Sequence, residues 1–342
     1  MAIDVLFYGN SYTNVFQTTS PNVPDLFAEI AVAAGQFPPN AVNAAVDGKD
    51  FSWHLANNRA PIFRSLETGE SWDFVVMQNF STRPTLSHPG GDRAQHRADA
   101  VLLYEDVAGH SPDVTPVLFE TWAREAGSPD LVHFPGGPAQ MQAELREGYA
   151  LAAADIDAFA GEAITRVASV GDAWEAAGYE DLHHPDRTHP NLRGRLLTAL
   201  VIYSTVYGDD TRDLFLTGGL DTTLLGMGLD AADGAELTLV SDATAGVTRQ
   251  PGDADASGVV DLLDFDILAA GFGAGPGYSG GADGGDFNFD GVVDLLDFDI
   301  LAQNFGASSP AVVPEPASFA ALGVTGLLAA RRRLGSRASS CD

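Results

Sequence analysis

The chain has 342 residues, of which 45% are hydrophobic, so it can bury the core of one large domain and still carry additional segments. The formal net charge is −29, from 47 acidic and 18 basic residues. Such a charge argues against nucleic acids and anionic lipid surfaces as partners, because polyanions would be repelled. The one cysteine, Cys341, excludes an intrachain disulfide and a cysteine-based zinc site.

Residues 1–247 alternate short apolar runs with longer segments of helical periodicity. Predicted strands, rich in Val, Ile and Phe without strict polar alternation, cover residues 3–8, 74–77, 114–119 and 164–170. Predicted helices cover residues 24–34, 138–160 and 189–208. This alternation predicts an α/β domain with a parallel sheet and helices on both faces, in which a ligand binds outside the carboxyl ends of the strands.

Ser11 is the first candidate catalytic residue, because it follows the first predicted strand in the triplet Gly9-Asn10-Ser11. Taken alone, this triplet is better explained as a turn or a helix N-cap. Asp186 and His189, three residues apart before the last predicted helix, supply an acid and a base. A serine followed along the chain by an acid and a base favours a nucleophilic serine in a hydrolase built on one α/β sheet.

Gly9-Asn10-Ser11 and the Asp-x-x-His motif at 186–189 resemble the blocks of the SGNH (GDSL-like) hydrolase family, over about residues 1–207. The resemblance implies a flavodoxin-like three-layer α/β/α domain and a serine esterase that needs no cofactor for catalysis. It implies that Ser11 is the nucleophile, His189 the base and Asp186 the acid that orients it.

The same resemblance implies an oxyanion hole formed by the backbone N–H groups of Ser11 and Gly48 and by a side-chain amide. The family places that amide in a Gly-x-Asn-Asp block after a strand. This chain has VVMQNFS at 75–81, so Asn79 and Gln78 are the two candidates for the amide donor.

Other histidines have two possible roles. His183 and His184 are either metal ligands or solvated surface residues, and the second is the commoner case. Trp53 and His54 either line the binding pocket or pack in the core.

The composition changes abruptly after residue 249, because residues 251–307 contain eleven Asp and no Lys, Arg or Glu. SGVVDLLDFDILAAGFG at 257–273 returns as DGVVDLLDFDILAQNFG at 290–306. Oxygen-bearing residues at positions 1, 3, 5, 9 and 12, with glycine at 6, predict two Ca²⁺ loops at 253–264 and 286–297. The predicted ligands are Asp253, Asp255, Ser257, Asp261, Asp264 and the carbonyl of Val259 in the first loop, and Asp286, Asn288, Asp290, Asp294, Asp297 and the carbonyl of Val292 in the second.

The repeated loop and helix resemble a type I dockerin module, which implies a small all-α, EF-hand-like domain at 248–307 and a cohesin-like partner protein. Folding of this module is expected to depend on calcium, because the carboxylates repel one another without the ion. Ser257 replaces the usual Asp or Asn, so the first site is expected to be the weaker. The alternative is a pair of solvated Asp-rich turns.

The segment 314–342, joined by a linker at 308–313, contains Pro-Glu-Pro, an apolar run at 317–330 and three arginines at 331–333. This order resembles the PEP-CTERM sorting signal and implies a bacterial cell-surface or extracellular location, with membrane contact only through the tail. As a helix the apolar run is about 21 Å long, against about 30 Å for a hydrocarbon core. The alternative is a hydrophobic C-terminal helix. The first residues show no secretory signal, which alone would indicate a cytosolic protein. Because the tail implies export, we expect instead that the signal peptide is missing from this start or that the start is misplaced.

These patterns predict an exported serine esterase that acts on acetyl or other acyl esters of extracellular carbohydrate. The carbohydrate follows from association with the dockerin-like and sorting segments and not from the chemistry of the site. The alternatives are a lipase or other acyl-ester hydrolase, and a non-catalytic, calcium-dependent surface adhesion or scaffold protein.

Overall fold

The computed structural model describes residues 2–14, 21–66, 69–179, 181–211, 214, 220, 226–246, 251–255, 257–275, 284–287 and 292–307. The predicted linker at 308–313, the tail at 314–342 and two predicted calcium ligands, Asn288 and Asp290, lie outside the described residues.

The N-terminal part of the chain forms strands and helices in alternation. The strands are β1 (Asp4–Tyr8), β2 (Asn40–Asn43), β3 (Phe74–Met77), β4 (Thr115–Phe119) and β5 (Arg166–Ala168). The helices are α1 (Val23–Ala33), α2 (Phe51–Asn57), α3 (Ala60–Arg64), α4 (Arg93–Ala108), α5 (Gly137–Ala160), α6 (Val170–Ala176), α7 (Leu192–Tyr207) and α8 (Ala231–Ala245), with a 3₁₀ helix at Pro129–His133. The repeats contribute α9 (Leu262–Gly271) and α10 (Leu295–Asn304).

The five strands found in the described residues are all parallel, in the order β2-β1-β3-β4-β5. The carboxyl ends of parallel strands lie at one edge of the sheet, which we call the carboxyl edge. The loops that follow β1, β2, β3 and β4 therefore leave the sheet on the same side, where a ligand site is expected. The predicted three-layer α/β/α fold is confirmed.

The two faces of the sheet pack against different helices. Val5 and Phe7 belong to a core cluster with α1 and α7, whereas Leu6 and Tyr8 belong to a cluster with α2, α4 and α5. All four side chains are fully buried. Burial on both faces explains why β1 reads as a continuous apolar run without polar alternation.

Two differences from the predicted elements have local causes. The strand predicted at 164–170 is limited to β5, because helix α6 already begins at Val170. The edge strand β2 was not predicted, since Asn40 and Asn43 are exposed and their residue types do not favour strands. Among the described residues, no helix is both long and apolar enough to cross a membrane.

Helices α9 and α10 begin in the same way. The side chain of Asp261 accepts the N–H of Leu263, and Asp294 accepts the N–H of Leu296 in the second copy. The backbone N–H of each cap residue donates in turn to the carboxylate three residues later, so each helix begins with a capping box. A small buried cluster, formed by Ala254, Val260, Leu268, Phe287, Val293 and Leu301, joins the two copies.

Candidate active site

The turn after β1 places Ser11 at the carboxyl edge. The carbonyl of Asn10 accepts the N–H groups of Thr13 at 3.0 Å and of Asn14 at 2.8 Å. Gly9 is required at the start of this turn, because a Cβ there would overlap the Thr13 side chain. The helix-cap explanation of Ser11 does not apply, since Asn22 caps α1.

Ser11, His189 and Asp186 form one chain of hydrogen bonds. Ser11 Oγ lies 2.8 Å from His189 Nε2, and His189 Nδ1 lies 2.7 Å from Asp186 Oδ2. With the carboxylate accepting from Nδ1–H, Nε2 is the ring nitrogen that accepts from the serine hydroxyl. The three groups therefore have the arrangement of a serine hydrolase triad.

The loop that carries the acid and the base is held by its own backbone. Asp186 Oδ1 accepts the N–H groups of Thr188 at 3.0 Å and His189 at 2.9 Å. Arg187, between them, has a left-handed φ of 63°, which is unusual for a residue with a side chain. The close turn and the strained residue bring a carboxylate and an imidazole that are three positions apart into contact.

A row of aromatic rings packs against the imidazole of His189. Tyr12 stacks on Trp122 with ring centroids 4.3 Å apart, and Trp122 stacks on Trp174 at 4.0 Å. The rings of Tyr12 and His189 form a T-shaped pair with centroids 5.5 Å apart, and Trp122 Nε1 donates to the carbonyl of Thr188 at 3.1 Å. The catalytic loop is thus tied to the core of the domain.

Burial and hydrogen bonding shift the pKa values of the acid and the base. Burial lowers the pKa of His189 below its usual value, and this outweighs the Asp186 carboxylate, which raises it. For Asp186, burial raises the pKa, but hydrogen bonds from His189 and Thr188 outweigh it and leave that pKa below its usual value. Near neutral pH, His189 is therefore a neutral base beside an ionised carboxylate.

A cavity of about 390 Å³ opens beside Ser11. Its lining consists of Asn10, Ser11, Tyr12, Asp47, Gly48, Phe80, Ser81, Arg124, Thr188 and His189. Gly48 has a left-handed φ of 69°, which glycine adopts without strain. Within the described part of the chain, no acceptor is found for the backbone N–H of Ser11 or of Gly48. Both donors are thus available to a ligand in this cavity.

Neither candidate amide donor reaches the cavity. Asn79 donates to His96 Nδ1 at 2.9 Å and accepts the N–H groups of Phe51 and Phe80 through Oδ1. Gln78 Oε1 accepts the N–H of Asn10 at 2.9 Å, and its amide nitrogen donates to the carbonyl of Asn79. Both side chains are buried, bonded to other groups and not part of the cavity lining, so the structure does not support either as an oxyanion donor.

Sequence reasoning missed two polar residues of the cavity wall. Arg124 follows β4 and Ser81 follows β3, and Arg124 Nη2 donates to Ser81 Oγ at 2.9 Å. Both side chains are buried. The available signal was their position, because polar residues just after parallel strands gather at the carboxyl edge.

Two of the histidines singled out in the sequence, His183 and His54, are buried. His183 is buried against Trp174 and its Nε2 contacts the carbonyl of Ala123 at 3.0 Å, so it is neither a surface residue nor part of a metal cluster. His184 Nδ1 lies 3.5 Å from Asp186 Oδ2.

His54 is fully buried, with Nε2 2.8 Å from the carbonyl of Gly9. It supports the turn after β1 from inside the core.

Three acidic residues of the first repeat lie together. Carboxylate oxygens of Asp253, Asp255 and Asp264 are all within 4.8 Å of one another, so they could hold a metal ion. Asp261, by contrast, caps α9, and the Ser257 hydroxyl donates to the carbonyl of Val259 at 3.1 Å.

The described part of the second repeat follows the first. Asp297 Oδ1 accepts the N–H of Phe287 at 2.8 Å, as Asp264 does for Ala254 in the first copy. Asp286 and Asp297 are buried, and Asp294 caps α10. Val292, whose carbonyl is a predicted ligand, directly precedes Val293 of the buried cluster that joins the two repeats.

Comparisons with known proteins give structural matches. No protein-family model matches the sequence, and no curated protein is significantly similar to it. A DUF4886 family protein from Bacteroides uniformis is similar over 71% of this chain and 95% of its own, with 16% identity and a TM-score of 0.50. The chain has the fold of that protein.

Two further matches have names that state an activity. A candidate SGNH hydrolase from Slackia heliotrinireducens shares 28% identity over 60% of this chain and 99% of its own, with a TM-score of 0.47. The esterase EstA from a Pseudoalteromonas species shares 14% identity over 60% and 97%, with a TM-score of 0.44.

Proposed function

We propose that this protein is a serine hydrolase that cleaves ester bonds at Ser11. The observation that carries this proposal is the hydrogen-bond chain from Ser11 through His189 to Asp186. Ser11 lies at a cavity in which two backbone N–H donors are available. A nucleophile, a base, an orienting acid and an oxyanion site are the parts that acyl transfer needs.

In the acylation step, Ser11 Oγ attacks the ester carbonyl carbon and its proton passes to His189 Nε2. The carbonyl π electrons move to oxygen, and that negative charge is stabilised by the N–H groups of Ser11 and Gly48. The bond to the alcohol oxygen then breaks, and the departing alcohol takes the proton from His189. Asp186 keeps the imidazole oriented and stabilises its charged form.

Water completes the reaction by the same route. His189 takes a proton from water as the water oxygen bonds to the acyl carbon. The bond from that carbon to Ser11 Oγ breaks, the acid is released, and the serine regains its proton from His189. No step requires a cofactor.

The test is hydrolysis of 4-nitrophenyl acetate by the wild type and by Ser11→Ala. We expect the variant to lose at least about 10³-fold in kcat, because no other nucleophile replaces Ser11 Oγ. Ser87→Ala is the matched control, since Ser87 is exposed and contacts Glu144 outside the cavity. Equal rates for wild type and Ser11→Ala would refute the esterase and leave the non-catalytic adhesion or scaffold protein as the explanation.

For the substrate, we propose short acyl esters, acetyl esters of carbohydrate above all. The cavity of about 390 Å³ is near the lower end of ligand pockets, which supports a small acyl group over a long lipid chain. The proposal that the alcohol part is a carbohydrate rests on the dockerin-like and sorting segments of the sequence. Acetate release from acetylated polysaccharides, compared with hydrolysis of 4-nitrophenyl palmitate, separates this substrate class from a lipase.

For the repeats, we propose two Ca²⁺ sites in a dockerin-like module. The cluster of Asp253, Asp255 and Asp264 supports the first site. The second site follows from the repeated sequence, with Asn288 and Asp290 outside the described residues.

A cohesin-like protein is the partner we propose for the module. Exposed apolar side chains support an interaction surface there, because Leu262 and Leu295 are each 68% exposed at equivalent positions of the two helices. A location at the cell surface or outside the cell, through the PEP-CTERM-like tail, is a proposal from the sequence alone.

A further inference from the structure

The cavity beside Ser11 contains a buried cation. Arg124 is 3% exposed and lines the same cavity as Ser11 and His189. Among the ten described residues of this lining, it is the only arginine or lysine. A guanidinium is costly to bury unless its charge is compensated, so its partners decide what it can do.

The partners of Arg124 compensate its charge only in part. Nε donates to Asp130 Oδ2 at 3.0 Å, but that carboxylate side chain is 39% exposed and is therefore screened by water. The other two partners, the hydroxyls of Tyr12 and Ser81, are neutral. These contacts use three of the five N–H bonds of the guanidinium, and in the described part of the chain the other two have no acceptor, so they can bind a ligand.

The acidic and the basic residue of the cavity lining follow different strands of the sheet. Asp47 follows β2, whereas Arg124 follows β4. The order β2-β1-β3-β4 puts three strand spacings between these strands, or about 14 Å. Ser11, which follows β1, lies next to the β2 end. The loop that carries Arg124 and the loop that carries Asp47 therefore leave the sheet at strands on opposite sides of β1, and we expect an anionic group of the substrate to lie on the β4 side, near Arg124.

We propose that Arg124 binds a carboxylate on the alcohol part of the ester substrate. This inference rests on the proposed esterase function. With acetyl as the acyl group, a charge on the substrate must belong to the alcohol part, as in an acetylated acidic sugar such as a uronic acid. The guanidinium suits this role because its planar fork matches a carboxylate with two parallel hydrogen bonds.

The test compares two acetate esters that differ in charge, 4-acetoxybenzoate and its methyl ester. Values of kcat/KM are measured for the wild type, Arg124→Gln and Arg124→Lys. We expect Arg124→Gln to lose about 10–100-fold more on the anionic ester than on the neutral one, which is the contribution of a hydrogen bond to a charged group. Arg124→Lys should recover part of that loss, because it keeps the charge but not the fork.

Arg97→Gln is the matched control, because Arg97 pairs with Asp155 and is not part of the cavity lining. It should leave the ratio of the two esters unchanged. Equal losses on both esters in Arg124→Gln would show that the arginine only fastens Tyr12 and Ser81, and would overturn the inference while Ser11-dependent hydrolysis stands. Failure of the wild type to cleave either ester through Ser11 would overturn the proposed function as well.

Discussion

At the scale of single residues, the site combines a base of lowered pKa with a cation in the wall of its cavity. Burial is the main cause of the low pKa of His189, and Arg124 lowers it further through its charge. The Asp186 carboxylate acts in the opposite direction. The proton affinity of the base is therefore set by the loops around it as well as by its triad partner.

This balance predicts the pH dependence of hydrolysis. His189 must be neutral to act as a base, so kcat/KM falls as the pH decreases through its pKa. Because that pKa lies below the ordinary 6.5, the half-maximal point of the acid limb should lie below pH 6.5 in the wild type. Arg124→Gln removes a positive charge that lowers the pKa of His189, so the acid limb of the pH profile should move to higher pH. The measurement is kcat/KM for 4-nitrophenyl acetate between pH 4 and 9, and a wild-type midpoint above 6.5 would contradict it.

Asn79 is predicted to act on stability and not on the oxyanion. Asn79→Ala would leave one buried N–H group, one partly buried N–H group and the Nδ1 atom of the buried His96 without this partner. We expect the free energy of unfolding to fall by at least about 2 kcal/mol, measured by urea denaturation.

The rate distinguishes the two roles of Asn79. An oxyanion donor contributes about 10²–10³ in kcat, so a loss of that size at unchanged stability would contradict this assignment. We expect kcat of the folded Asn79→Ala variant to stay within about tenfold of the wild type.

At the scale of elements, helix α5 is the support for two loops at the carboxyl edge. Gln142 accepts the N–H of Ala123 at 2.9 Å and donates to the buried Glu120 at 2.6 Å, so α5 fastens the segment after β4. Gly148 brings the same helix close to the loop after β3, where its Cβ would lie 2.6 Å from the carbonyl of Pro84. The positions of Arg124 and Ser81 thus depend on one helix.

This close approach predicts the effect of a methyl group on α5. Gly148→Ala must push the helix away from the Pro84 backbone, and we expect a loss of about 1–3 kcal/mol in the free energy of unfolding. Gly226→Ala is the control, because nothing lies within 4 Å of its Cβ position. The comparison is made by urea denaturation, and equal stability of the two variants would refute the contact.

At the scale of the whole molecule, acidic charge is concentrated in the repeats. Residues 251–307 contain eleven of the acidic residues and no basic residue. Repulsion among these carboxylates opposes folding of the module, and a divalent cation would relieve it. The calcium proposal is therefore best tested on the full chain.

Calcium is predicted to stabilise the full chain in thermal melting. At a free Ca²⁺ concentration of 100 times Kd, one site contributes about 2.7 kcal/mol. Asp264→Asn should reduce the effect of calcium against chelator, whereas Asp266→Asn should not, because Asp266 is exposed and outside the predicted ligand set. Hydrolysis of 4-nitrophenyl acetate should be the same with calcium and with chelator. Identical melting curves would count against the Ca²⁺ sites.

The sequence by itself determined the features that depend on neighbouring residues. Strand β3 occupies the predicted residues 74–77, and β1 begins one residue later than predicted, because an apolar run covered on both faces is a local signal. The candidates Ser11, Asp186 and His189 were also found locally, each as a short polar motif beside a predicted element.

Only the tertiary structure decided where the polar groups near those motifs point. The amide of Asn79 donates to His96, a residue of α4, and no sequence pattern records that contact. Arg124 and Ser11 line the same cavity because β4 lies two strands from β1 in the sheet. In the chain these two residues are more than a hundred positions apart. Contacts over such separations are set by strand order and helix packing, which periodicity and local motifs do not specify.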